Sequence, residues 1–386
     1  MSSLEEVEIV KPIENIHPNN LQRVQKEVVI HAFRQLVEHS HPSKGKGNVT
    51  TTVHAFAHSR VEWLHKVVPE LETLAEKYHI GNFVAIRGTN QRFFESMPIY
   101  ARLGMHLLFY GKEQVKLLEG NKLVEDTLRE QSIHQGKIYD SPESAKNIPS
   151  FIKMYNIQLD ELLEPDIHKY HTFNEFFSRK LKPGARPVEN WYTRPLASQR
   201  SFGSRETNSL YHRSWVSIPP ILSAKQLSGG SLAIFRLAPA DYHRFHSPVD
   251  GRVLTEHRDI PGEYYTVNPQ AVNEPNLDVF TRNKRSVLLL EHEVSKKPIA
   301  IVAVGALLVG SIVWTYNNEI KRGDEVGYFA YGGSTVIAVF PPGLIQFDED
   351  LVLNSTGKSV AANGQGSIET LVKVGYSLGK MPDTVE

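Results

Sequence analysis

From about residue 228 the chain is built of short apolar runs rich in Val and Ile, each closed off by Gly, Pro or Asn. "SLAIFRLAP", "SVLLLEHEV", "PIAIVAVGALLVGSIVWT" and "STVIAVF" are four of them. β-Branched side chains suit a pleated, half-buried surface, and the interruptions are turn chemistry, so this half predicts strands. Residues 20–180 follow another period. "VEWLHKVVPELETLAEKY" sets Trp63, Val67, Val68, Leu71, Leu74 and Ala75 near helical spacing. "SPESAKNIPSFIKMYNIQLDELL" opens with Ser and Pro start signals before a periodic apolar stripe. Helices followed by strands, rather than alternating with them, predict an α+β fold. The expected division is a mostly helical N-terminal region over 1–165 and a β-rich domain over 166–386. Residues 194–228 between them are polar, rich in Ser and Arg, and show no period.

Composition sets outer limits. With 386 residues the chain can form one large domain or two ordinary ones. It has no Cys, which removes disulfides, thiol nucleophiles and Cys-ligated metals. Lys+Arg and Asp+Glu are both 43, so net charge offers no general reason to expect a nucleic-acid partner. The N-terminal "MSSLEEVEIVKP" is acidic and lacks an apolar h-region, so it reads as neither a secretory signal nor a transit peptide. The best spanning candidate, "SMPIYARLGMHLLFYGK", is short and broken by Pro98, Arg102 and His106. A soluble or peripheral protein is expected.

Three segments could carry chemistry. "APADYHRFHSPVDG" sets His243 and His246 three apart beside Tyr242. On pattern alone this is a strand-end turn with hydrogen-bonded histidines, and no third ligand of known spacing supports a metal. "GGST" at 332–335 is on the same footing a glycine-rich turn. It is also a site where Ser334 could attack the carbonyl of Gly333, which has no side chain to obstruct the approach. "HTFNEFFSRKLKPGARPV" mixes Phe173, Phe176 and Phe177 with Arg179, Lys180, Lys182 and Arg186. It reads as a helix end with a basic cap and Pro-Gly turn, or as a basic-aromatic surface for anionic headgroups.

Taken together and in order, these blocks resemble the phosphatidylserine decarboxylase family. "TFNEFFSRKLKPGARPV", "LAPADYHRFHSPVDG", "PGEYYTVNPQAVN", "FTRNKR", "VGALLVGSI", "GDEVGYFAYGGSTVIAVFPPG" and "ETLVKVGYSLG" carry the likeness over about residues 140–379. The upstream "GKIYDSPESAKNIPSFIKMYNIQLDELLEPD" is similar to the extended eukaryotic members. The resemblance implies a proenzyme that cuts itself between Gly333 and Ser334 through an ester and β-elimination. It implies a β chain over 1–333 and an α chain over 334–386. Ser334 would become a pyruvoyl group, the carbonyl cofactor that forms a Schiff base with the substrate amine; neither pyridoxal phosphate nor a metal is called for. His246 maps to the base of self-cleavage, and His243 to the residue that contacts substrate and supplies a proton. "VGALLVGSI" and "GGSTVIAVF" are expected to supply core strands, with Gly305 and Gly310 at points of close backbone approach.

One departure stands out. The family's relay Asp follows the Ala-Arg-Pro block, but after Ala185-Arg186-Pro187 no Asp occurs before Asp241. Glu206 is the candidate substitute relay acid, beside the alternative that no carboxylate acts there. The segment is divergent or the product of a misplaced exon boundary, and slow or incomplete maturation is expected of it. The implied reaction is decarboxylation of phosphatidylserine to phosphatidylethanolamine and CO2. Its rivals are a pyruvoyl enzyme for a free amino acid such as tryptophan, and a non-catalytic homologue lacking the relay Asp. The near-complete "YYTVNPQAVN" block favours the lipid. The partners implied are a phosphatidylserine-containing membrane surface and the chain's own β and α pieces, with homodimerisation open. The location implied is intracellular and peripheral, with mitochondrion, Golgi and endosome all open.

Overall fold

The computed structural model describes residues 82–95, 122–189, 201–206, 223–267, 272, 278–306, 311–330, 334–359 and 367–381. The periodic stretch at 63–75, Gly310 and Gly332–Gly333 lie outside them. The described chain mixes helix and strand. It opens with hairpin β1 (Asn82–Ile86) and β2 (Arg92–Glu95), then helices α1 (Lys122–Tyr139), α2 (Ile148–Tyr155) and α3 (Phe173–Phe177). Strand β3 (Ser201–Glu206) and helix α4 (Ser223–Leu227) precede β4 (Ser231–Leu237), β5 (Arg244–His246) and β6 (Gly251–Ile260). Helix α5 (Val279–Arg282) leads into β7 (Arg285–His292), β8 (Pro298–Val304), β9 (Ile312–Trp314), β10 (Glu319–Ile320) and β11 (Glu325–Phe329). Strand β12 (Ser334–Phe340), β13 (Gln346–Phe347), helix α6 (Glu349–Ser355), β14 (Glu369–Leu371) and β15 (Gly379–Lys380) complete it. Among these helices none is long and apolar enough to cross a membrane.

Among the described residues ten strands form one sheet in the order β10-β6-β7-β8-β12-β4-β3-β14-β1-β2. Every pairing is antiparallel except β1 with β14. Hairpin β1–β2 thus enters the sheet from the segment read as mostly helical. Arg87 in its turn bonds Asp350 of α6 at 3.0 Å. The core strand of the "VGALLVGSI" region is β8, which ends at Val304, before most of that block. The Gly305 amide donates to the Lys284 carbonyl at 2.9 Å, an ordinary hydrogen-bond distance.

Both faces of the central strands are covered, so β8 and residues 336–340 of β12 read as unbroken apolar runs rather than alternating ones. Residues opposite each other in a ladder share a face. Val336, Ala338 and Phe340 lie with Phe235 and Leu237 on one face, packed against Phe245, Val326 and Phe329 of a second sheet, β5-β11-β9. Ile337 and Val339 lie on the other face, against Tyr265, Val267, Val279 and Phe280. Burying each large side chain is worth about 1.5–3 kcal/mol.

A third cluster joins the helices: Tyr139, Ile148, Phe151, Leu162, Phe173, Phe176 and Phe177. Helix α2 stops at Asn156, whose left-handed φ of 49° suits a small amide side chain. Helix α3 starts where the Thr172 hydroxyl accepts from the Glu175 amide at 3.1 Å, while Glu175 reaches back to the His171 amide. That start turns all three phenylalanines inward. The stretch read as a possible basic-aromatic surface is therefore mostly core, with Lys180 and Lys182 left exposed on it.

Candidate active site

Strand β4 ends at Leu237, and Pro239 does not extend its ladder. The chain reverses through Ala238–Asp241. The Asp241 amide donates to the Ala238 carbonyl at 2.9 Å, and its carboxylate accepts from the Ala238 amide at 2.8 Å. Strand β5 follows, carrying the histidine block on the small sheet. Two arginines tie this block to the end of α3. Arg179 donates to the carbonyls of Ala240 (2.9 Å) and Asp241 (3.1 Å), and Arg244 donates to the Ser178 carbonyl at 2.7 Å. Burial lowers the Arg179 guanidinium to about 10, still charged at neutral pH. The "FSRKLKPGARP" block thus serves as a clamp on the histidine turn.

Main-chain carbonyls set both histidine tautomers. His243 Nδ1 is 2.9 Å from the Asp241 carbonyl, and His246 Nδ1 is 2.8 Å from the Gly323 carbonyl. A carbonyl only accepts, so each Nδ1 carries the hydrogen and each neutral ring keeps its lone pair on Nε2. His246 Nε2 is 3.1 Å from the Tyr242 hydroxyl. Burial holds the His246 imidazole below the usual histidine value, with the Gly323 carbonyl and Glu325 pulling the other way. The ring of fully buried His243 rests 4.0 Å from that of Phe177.

Ser334 is the first residue of β12 and is fully buried, as is Thr335. Neither hydroxyl oxygen has a hydrogen-bond partner among the described residues. An unpaired buried hydroxyl costs about 1–3 kcal/mol and calls for an explanation, of which chemistry is one. Ser334 pairs with Leu237 and so shares the face covered by the histidine sheet; Thr335 faces the other way with Arg236 and Val304. Two paths lead from Ser334 to the histidines. One runs from its partner Leu237 through the Ala238–Asp241 turn. The other runs back along its own chain to Phe329, whose amide donates to the His243 carbonyl at 3.0 Å. The topology therefore brings Ser334 and the block of His243 and His246 to the same end of the sheet.

Glu206 is not brought there. Strand β3 runs antiparallel to β4, pairing Ser201 with Arg236 and Glu206 with Ser231. Ser231 in turn faces Phe340, at the far end of the seven-residue β12. The Glu206 backbone is thus about 20 Å along the strands from Ser334, beyond the reach of its side chain. The start of β3, not its end, lies level with Ser334, and position in sequence could not reveal that direction.

Glu325, to which the sequence pattern gives no role, sits opposite His246 in the β5–β11 ladder. Its carboxylate accepts from Arg244 Nη1 at 2.7 Å and from the Thr315 hydroxyl at 2.9 Å. A glutamate beside Asp324 in a short strand carries no local pattern that marks it as part of a site.

The profile of the family described as phosphatidylserine decarboxylase matches residues 173–365. A relative named phosphatidylserine decarboxylase proenzyme 2 from Komagataella phaffii is 39% identical over 314 residues, covering 77% of this chain and 29% of that protein. The protein of that name from Oryza sativa subsp. japonica is 43% identical over 293 residues, covering 72% of this chain and 45% of its own length. This chain thus spans less than half the length of those two. A phosphatidylserine decarboxylase proenzyme from Fusobacterium nucleatum is 37% identical over 259 residues, covering 63% of this chain and 81% of the relative. The matched span takes in the clamp, both histidines and Ser334, and the chain belongs to the phosphatidylserine decarboxylase family.

Proposed function

We propose that this chain cuts itself between Gly333 and Ser334 and then decarboxylates phosphatidylserine to phosphatidylethanolamine and CO2. The observation that carries the reading is the fully buried Ser334 hydroxyl, unpartnered among the described residues, at the sheet end shared with two histidines tautomerically fixed as bases. The relatives' printed names, proenzymes of phosphatidylserine decarboxylase, support it.

In this reading His246 Nε2 takes the Ser334 proton, with the Tyr242 hydroxyl yielding its place on that nitrogen. The Ser334 oxygen adds to the Gly333 carbonyl carbon, and the peptide nitrogen leaves as an amine, giving an ester. Loss of the Ser334 Cα proton breaks the Cβ–O bond and frees the Gly333 carboxylate. Water then replaces the nitrogen of the resulting dehydroalanine, releasing ammonia and leaving a pyruvoyl group. The pieces are a β chain of 1–333 and an α chain of 334–386.

Residue 334 suits such a group: once its hydroxyl oxygen has left with the Gly333 carboxylate, a methyl and a carbonyl remain at a fully buried position, where the hydroxyl had no hydrogen-bond partner among the described residues. The pyruvoyl carbonyl supplies the electron sink for the pair left when CO2 departs. His243, buried beside Phe177 with Nδ1 fixed, takes a proton from the substrate ammonium onto its Nε2 lone pair and returns it as the replacing proton. The lipid is reached peripherally, from an intracellular membrane surface.

The test is the intact mass of the purified chain, followed by assay on phosphatidylserine vesicles and on free tryptophan. Two fragments divided at 333/334 with CO2 released from vesicles support the reading. Turnover of tryptophan alone would move it to a free amino acid. One uncut, inactive chain would mark a non-catalytic homologue.

A further inference from the structure

We propose that Glu325 is a positioning residue for His246, supplying the negative charge that stabilises its imidazolium while the Ser334 proton rests there. This deepens the reading of His246 as the base of self-cleavage and rests on it.

The segment from Gly323 to Glu325 meets the imidazole twice. Its first residue gives the carbonyl on Nδ1, and its last faces His246 across the ladder. The segment is held in place by an exchange with the residue after His246. The Gly323 amide donates to the Ser247 carbonyl at 2.9 Å, and the Ser247 amide donates to the Asp324 carbonyl at 2.8 Å. Gly323 turns at a φ of 89°, a conformation that glycine tolerates and other residues resist. The ladder then shifts register between Glu325 and Gly327, a bulge of the kind that re-aims a side chain beside an active site. At Gly327 a side chain would collide with the Phe245 ring and the Val313 carbonyl, so the bulge is fixed from its far side as well.

The charges around His246 decide the role. Arg244 on its own strand and Arg186 after α3 both oppose protonation of the ring, and Glu325 of β11 favours it. Tyr242, a further titratable neighbour among the described residues, is kept as a neutral phenol by burial. Among the described residues Glu325 is thus the anion that favours a charged His246. Its carboxylate is fixed by Arg244 and Thr315 rather than by the imidazole, so orientation comes from the Gly323 carbonyl and charge from Glu325. In a serine–histidine–carboxylate site one Asp performs both duties.

The experiment uses the full chain. Glu325→Gln keeps the size and both anchoring bonds but removes the charge. Self-cleavage requires neutral His246, so its rate rises with pH and then levels. In Glu325→Gln the midpoint should move to lower pH and the plateau should fall, because the imidazolium has lost the nearby negative charge that stabilises it. A merely structural role would lower the yield without moving the midpoint. The same shift should appear in the imidazole titration of His246 followed by NMR in uncut Ser334→Ala chain, with and without Glu325→Gln. Glu325→Asp, which keeps the charge, should cleave with the wild-type midpoint. An unmoved midpoint and plateau in Glu325→Gln overturn the proposal. If that variant does not fold, Glu325→Asp decides: a displaced midpoint or lost cleavage there overturns it, and wild-type behaviour supports it. His246→Ala separates the two layers, because normal maturation of that variant defeats the base itself whatever Glu325 does.

Discussion

His246 Nδ1 donates to the main-chain carbonyl of Gly323 at 2.8 Å, so a peptide oxygen, not a carboxylate, fixes the imidazole tautomer. A relay acid in a serine–histidine site holds the ring and stabilises its charge. The first of these duties is met here by backbone that no substitution can delete. Slow or incomplete maturation, expected from the lack of an Asp after the Ala-Arg-Pro block, then turns on the second duty, stabilisation of the imidazolium.

The pH dependence of maturation follows. Burial sets the His246 value below the ordinary 6.5. The base acts in its neutral form, so the rate should rise with pH through a midpoint under that value and be flat around neutrality. Rates of proenzyme loss on denaturing gels across pH test this, and a midpoint above 6.5 contradicts it.

Ser334→Ala should leave a single uncut chain without decarboxylase activity, while its melting temperature stays near wild type. The Ser334 hydroxyl makes no hydrogen bond among the described residues, so its loss should cost less than about 1 kcal/mol, or stabilise slightly.

The two histidines should divide. His246→Ala should slow self-cleavage at least roughly a hundredfold, the low end of what a positioned base supplies. His243→Ala should still cut but turn over poorly, because His243 acts after cleavage. Equal effects on cutting and turnover in both variants would dissolve this assignment.

How far the sequence foretold this arrangement depends on the kind of information. Strands β4, β7, β8 and β12 were legible because Val- and Ile-rich runs bounded by turn residues fit little else. Hairpin β1–β2 was not, since its place comes from pairing with β14, nearly three hundred residues on. Phe173, Phe176 and Phe177 beside cations looked like a surface because a one-turn helix has no readable period. Ser334, His243 and His246 were legible as motif positions. The Gly323 carbonyl leaves no trace in a sequence, because any residue has one. Glu325 and Glu206 could be told apart only by strand direction and register, which local spacing does not encode.

Arg179→Met tests the clamp. Substitution strands the carbonyls of Ala240 and Asp241, at about 1–3 kcal/mol in total, and loosens the turn bearing His243. A lower melting temperature and slower maturation are expected, with vesicle binding unchanged because Arg179 is buried. Loss of vesicle binding in a chain that still melts normally would return this residue to a surface role.

Vesicle binding itself should be salt-sensitive and modest. Lys180 and Lys182 remain exposed, and each well-placed cation near an anionic surface contributes about 1 kcal/mol. Lys180→Glu with Lys182→Glu should weaken sedimentation with phosphatidylserine vesicles at low salt. Equal binding by the double variant at low and high salt would exclude this stretch.

The central claim is that Ser334 cuts the chain before it and becomes the reactive group. The most direct measurement is an intact-mass time course of freshly purified protein at neutral pH. The account predicts two fragments divided at 333/334, the C-terminal one lighter by one ammonia than a hydrolytic product and blocked to Edman sequencing. A single mass of the full chain that persists, or a C-terminal fragment beginning with unmodified serine, would contradict it.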